Sequence, residues 1–142
     1  MDPENPVVKL CVAGMKAEGD GDLTGARDLF QKAWAQAQDH FEQCIAAHYL
    51  ARHQPTPEDT LQWNETALQH ADKVGDERVQ GFYPSLYLNL GHCHEVLGHE
   101  TEAQRFYGLA AAHAPTLPDD RYGKIVRQGI NNRRSENHKN GD

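Results

Sequence analysis

Apolar residues recur along most of this chain at intervals of three and four, a spacing that predicts helices throughout and no strands. Asn5-Pro6 offers a cap and a first-turn proline, and Leu10, Ala13-Gly14 and Ala17 mark a first helix from Val7. Gly19-Asp20-Gly21 turns into a second helix carrying Ala26, Phe30 and Ala33 and ending near Gln38. Asp39, with Glu42 three residues on, reads as a capping box for a third helix. That helix bears Phe41, Ile45 and Tyr49 and stops before Gln54-Pro55. Thr56-Pro57-Glu58-Asp59 opens a fourth, since a cap, a proline and two acids suit the positive end of a helix dipole; it carries Leu61, Trp63, Ala67, Leu68, Ala71 and Val74. After the Gly75-Asp76 turn a short helical turn is expected over 77–82, then a kink at Pro84 into a helix of about 84–97. Gly98 separates this from a sixth helix reaching about His113. A last amphipathic segment, about 119–132, places Tyr122, Ile125, Val126 and Ile130 on one stripe, and 135–142 reads as a disordered polar tail after a single domain over 1–134.

Small and aromatic residues fall at matching offsets in these helices. Tyr87, Leu90-Gly91, His94, Ala103, Tyr107, Ala110 and Pro115 resemble one tetratricopeptide (TPR) repeat without a gap, with Tyr87 at the family's Trp position and His94 at its Tyr. Leu10, Ala13-Gly14, Ala17, Ala26, Phe30 and Ala33 match again at the same offsets. Ala67 lies 34 residues after Ala33, one repeat length, but Asn64 and Thr60 stand at the aromatic and alanine positions, so the middle repeat is degenerate. The resemblance implies an all-α, right-handed α-solenoid: three TPR-like hairpins, at about 7–38, 40–74 and 84–115, plus a C-terminal capping helix, seven helices in all.

Composition narrows the function. With 142 residues, 38% hydrophobic and 25% charged, the chain suits one polar domain. No apolar run approaches the roughly 20 residues of a membrane helix, and the acidic start Met1-Asp2-Pro3-Glu4-Asn5 resembles no signal peptide, so no membrane partner and a cytoplasmic location are expected. Cys11, Cys44 and Cys93 are odd in number and far apart, which suits reduced buried thiols. A net charge of −7 argues against nucleic acid as the partner. Arg121, Lys124, Arg127, Arg133, Arg134 and Lys139 gather near the end, leaving the body before them more acidic still.

Little chemistry is spelled out. In His94-Glu95-Val96-Leu97-Gly98-His99 the second histidine falls one residue too late for a zinc-protease helix; about 500° of helical turn is expected to part the two rings, and Gly98 is expected to end the helix before His99. His92 and Glu95 share a face, where solvated polar residues are the simpler reading than metal ligands. Asp20-Gly21-Asp22-Leu23-Thr24-Gly25 opens like a calcium loop, but Gln31 stands where the bidentate Glu belongs, and a Gly-rich turn with Asp22 at a helix start is the preferred reading. Nucleotide loops and nucleophile elbows are absent from the sequence. No enzyme, cofactor or metal is therefore expected.

In TPR proteins the first helix of each hairpin lines a partner-binding groove. Carried over by position, that implies Val8, Cys11 and Met15 from the first repeat and Ser85, Leu88, His92 and Glu95 from the third. With Ala47 in the family's glycine place, the middle repeat adds Phe41, Cys44 and His48, and Arg52 lies one residue past the next position. The paired Lys and Asn of groove versions that grip a C-terminal carboxylate are lacking. The expected function is non-enzymatic: binding a peptide or helix of a partner protein. Alternatives are self-association, through the groove or the Trp34 and Trp63 region, and a metal-dependent enzyme or sensor using groove histidines. In a further alternative Val8, Cys11, Met15 and Phe41 simply pack beneath neighbouring helices or the cap.

Overall fold

In the computed structural model residues 2–117 and 120–140 are described, the side chains of Thr116 and of 134–140 excepted. Eight α-helices and no strand occur among them: α1 (Pro6–Gly19), α2 (Leu23–Gln36), α3 (His40–Leu50), α4 (Pro57–Val74), α5 (Glu77–Gln80), α6 (Tyr83–Val96), α7 (Glu100–His113) and α8 (Arg121–Asn140). Short 3-10 turns, Ala51–His53 and Ala114–Thr116, follow α3 and α7. The count exceeds the expected seven because the short turn before Pro84 forms a helix of its own. α8 continues to Asn140, through positions that read as a disordered tail; residues 141 and 142 of that tail lie outside the described residues.

The chain divides into two compact units, Met1–Arg78 and Val79–Asp142. In the first, α1 and α2 lie side by side, α3 packs on both, and α4 folds back along α3. The caps follow the sequence: Asn5 Oδ1 accepts from the N–H groups of Val7 and Val8, Asp22 Oδ1 from Gly25, Asp39 Oδ1 from Glu42 and Thr56 Oγ1 from Asp59. The expected capping box is not closed, however. Glu42 reaches past Asp39 to accept from the Gln38 N–H at 2.8 Å and from Asn5 Nδ2 at 2.9 Å, so it ties the start of α3 to the start of α1.

The second unit repeats the α1/α2 joint in α6 and α7. α6 ends in a left-handed glycine, Gly98 (φ +81°), with Gly98 N–H donating to Glu95 O and His99 N–H to His94 O. α1 ends alike at Gly21 (φ +81°), through Glu18 O and Ala17 O. Each is a Schellman turn, which satisfies the last carbonyls of the helix and needs a residue free to take positive φ. About two turns further back, each hairpin closes a glycine on an aromatic ring. A Cβ on Gly91 would lie 2.6 Å from two carbons of Tyr107, and one on Gly14 would fall inside the van der Waals envelope of Phe30. Phe30, Ala33, Tyr107 and Ala110 are fully buried, so these joints form the centres of their hairpins.

α8 packs on α7 and α6, where Val126 and Ile130 join Ala110 and Leu117 in a core flanked by Tyr87 and Leu88. The expected stripe of Tyr122, Ile125, Val126 and Ile130 is only half correct. Ile125 is 61% and Tyr122 44% exposed, and Gly123 takes the inward place one turn before Val126.

Candidate functional site

The α6 face expected to meet a partner is bounded by the chain's own α8. Ser85 and Leu88 are half-buried, whereas His92 and Glu95 are exposed. Ser85 Oγ lies 2.5 Å from the Tyr122 hydroxyl, and Leu88 packs on Gly129, where an added Cβ would come within 3.0 Å of its Cδ2. At the far end Arg133 approaches both His92 Nδ1 (3.5 Å) and Glu95 Oε1 (3.6 Å), while the Tyr107 hydroxyl donates to Glu95 Oε2. A cation already stands between the two groups weighed as metal ligands. What this face leaves open is its polar end: His92, Glu95 and Arg133.

On the first unit, the α1 and α3 positions divide by depth. Val8, Cys11, Cys44 and Phe41 are buried, Met15 and His48 are half-buried and Arg52 is exposed. Burial pushes the Cys11 and Cys44 thiols up to about 12, with the charge of Asp72 adding to the second. They are thiols, not thiolates, at neutral pH, and so poor nucleophiles and poor metal ligands. Burial, then the nearby Arg52 guanidinium, lowers His48 to about 4, so this ring is neutral; its Nδ1 is buried without a hydrogen-bond partner.

Arg52 is anchored by residues that the sequence did not flag. Glu18 accepts from Arg52 at 3.0 Å and meets His53 Nε2 at 2.7 Å, while the guanidinium lies 4.9 Å over the Tyr49 ring, which itself stacks on Phe30. A repeat offset assigns positions on one helix and says nothing about which acid on a neighbouring helix will reach them. Beside His53, the α2 surface residues Leu23, Thr24, Arg27, Asp28 and Gln31 line an open cleft. Elsewhere on the same unit Trp34 meets Trp63 edge to face at 5.0 Å, and His70 borders both Trp34 and His40.

One expectation is overturned outright. His94 and His99 do not part company: their Nδ1 atoms lie 3.0 Å apart. The helical-turn estimate assumed that the helix ran through His99, but the Schellman turn at Gly98 folds the chain back, and in that motif the third-last helical residue touches the one after the glycine. Gly98 was itself the available signal. The Asp20–Gly25 segment is the capped turn already described. Among the described residues no three His, Cys, Asp or Glu side chains gather as a metal site would need, and no helix is long and apolar enough to cross a membrane.

Compared with known protein families, curated proteins and solved structures, the chain matches no family model, no curated protein and no solved structure.

Proposed function

We propose that this chain is a TPR-like interaction module that binds a peptide or helix of a partner protein on faces of its α1, α3 and α6 helices. The observation that carries the reading is the twice-built joint: a glycine on the first helix of a hairpin pressed against an aromatic ring 16 residues later, Gly14 on Phe30 and Gly91 on Tyr107, each behind a Schellman turn. Helical hairpins of this make are stacking units whose outward-facing side chains are free to vary and to recognise another chain. The contact residues are the accessible ones. On α6 they are His92 and Glu95 with Arg133 beside them; on the first unit they are Arg52, Met15 and the edge of His48. Buried Val8, Cys11 and Cys44 support the helices beneath.

The test uses the full chain with a photo-crosslinking residue placed at Arg52 or at His92, and at Gln62 on α4 as the comparison. Crosslinks to one partner from the first two positions support the reading. Equal or stronger crosslinking from Gln62 places recognition elsewhere. A second reading, self-association, is favoured by the incompletely buried Trp34 and Trp63 pair. Sedimentation over a concentration series decides it, a constant monomer mass removing the idea.

A further inference from the structure

Two histidine pairs join helices within hairpins. His40, at the head of α3, meets His70 of α4 with Nδ1 atoms 2.8 Å apart and ring centres 5.1 Å apart. His94 of α6 meets His99, at the head of α7, with 3.0 Å between Nδ1 atoms and 5.3 Å between ring centres. A ring nitrogen sits about 1.2 Å from the centre of its imidazole, so rings meeting nitrogen to nitrogen along one line would have centres about 5.2 and 5.4 Å apart at these separations. The observed values agree with that. The nitrogens thus face each other as in an N–H···N hydrogen bond, whereas metal ligands would converge on a third point.

We infer that each pair shares one proton between its two Nδ1 atoms and cannot take a proton on both, which makes the α3/α4 and α6/α7 hairpins acid-sensitive joints. In the neutral pair one ring donates its Nδ1–H and the other accepts. A first added proton goes to the Nε2 of the donor ring, leaving the bond in place and strengthening it. A second must go to the accepting Nδ1, and two N–H groups then point at each other across 2.8 or 3.0 Å. The rings have to separate, and with them the helices they join.

The surroundings of the two joints differ. His70 has Trp34 of α2 on one side and Lys73 of its own helix nearby; burial, the facing His40 and the Lys73 charge all lower its proton affinity. Asp39, next to His40, is turned to cap Glu42. The other pair lies near an acid instead. His94 stacks on Phe106, whose ring Arg105 covers at 4.4 Å, while the Glu102 carboxylate, held by Arg105, feels both His94 and His99. On α6 Glu95 is engaged with Tyr107 and with Arg133 of α8. Lys73 therefore adds to the repulsion in the first pair, while Glu102 places a carboxylate near the second.

The inference stands apart from the proposed partner binding, and its test needs no ligand. In the unfolded chain all four rings titrate near 6.5 and each pair takes two protons against one in the folded state. The sign follows: stability is present above that pH and falls as pH drops, each pair lowering the folding constant about tenfold per pH unit below about pH 6. Imidazole ¹⁵N spectra of the full chain from pH 8.5 to 4, with H40Q and H99Q as comparisons, read this directly. The expected result is two steps for each pair, more than one pH unit apart, collapsing to one step for His70 in H40Q and for His94 in H99Q. Four single steps near pH 6.5 in the unaltered chain would overturn the inference, with no variant required. Urea midpoints give a second reading: a slope against pH between 6 and 5 that is unchanged in both variants would overturn it as well.

Discussion

Substituting alanine for Gly91 probes the close approach at the centre of the second unit, and Gly108, on the outer side of the same hairpin, supplies the comparison. A Cβ at Gly91 would lie 2.6 Å from two Tyr107 ring carbons and 3.2 Å from a third. Carbon atoms in good contact sit at about 3.5–4.0 Å, so the ring must retreat by about 1 Å. It has nowhere to go, being 1% exposed and held at its hydroxyl by Glu95. Forcing extra carbon into such a site costs about 1–3 kcal/mol, while alanine recovers about 1 kcal/mol of helix propensity, leaving Gly91→Ala destabilised by up to about 2 kcal/mol. At Gly108 no atom lies within 4 Å of the new Cβ, so propensity acts alone and Gly108→Ala gains about 0.5–1 kcal/mol. For a chain of this size each kcal/mol moves the melting temperature by about 2–4 °C, and circular dichroism melts resolve the resulting gap easily. A Gly91→Ala protein that melts at or above Gly108→Ala would refute the packing argument. So would a penalty that is no smaller when Tyr107 is also changed to Leu.

Three other outcomes follow from burial. Ile130→Ala, deep in the α8 seam, is expected to cost about 2–4 kcal/mol in urea denaturation, and Ile125→Ala close to nothing, because Ile130 is 2% and Ile125 61% exposed. Equal costs would show that α8 seats the other way round. His48, lowered to about 4, contributes stability that is whole above about pH 6.5 and disappears as pH falls through 4. Relative to the unaltered chain, His48→Leu should therefore gain about 2–3 kcal/mol between pH 7.5 and 4.5, and a constant difference across that range contradicts a buried neutral ring. Cys11 and Cys44, both raised to about 12, should react with a disulfide reagent at pH 8 only at the rate at which the chain opens, and labelling as fast as in urea would mean that they are accessible.

What could be read from the sequence was whatever a local rule decides. Asn5, Asp22, Asp39 and Thr56 each cap the helix that follows because capping depends on a residue and its next three neighbours. The recurrence of Gly14 and Phe30 at the offsets of Gly91 and Tyr107 was legible, whereas the pressing of each glycine on its ring came from the structure. Legibility failed where two distant side chains choose each other. Glu42 prefers Gln38 and Asn5 to the backbone of its own cap, and Glu18 takes both Arg52 and His53; neither choice leaves a periodic trace. The outward turn of Ile125 has another cause: Val126 and Ile130, four residues apart, define the buried line, and the small Gly123 extends it while Ile125 is left about 100° away. Ser85, Leu88, His92 and Glu95, at intervals of three and four, share one side of α6. That Leu88 would be spent on Gly129 of α8 could not be seen without knowing where α8 docks, and for that reason Leu88→Asp would loosen the hairpin's cover as well as alter the proposed binding face.

The link from Asn5 to Glu42 works as a detent. Asn5 uses its oxygen to start α1 and its amide nitrogen to hold Glu42, whose other oxygen holds the Gln38 N–H just ahead of α3. Of these bonds the one from Asn5 to Glu42 crosses between the helices, so sliding α1 along α3 by a single rung, about 1.5 Å, would break it and leave the two caps intact. The residues ahead of Pro6 thus help to set a relative axial position, and trimming them would remove this tie while the buried contacts of α1 and α3 stay in place.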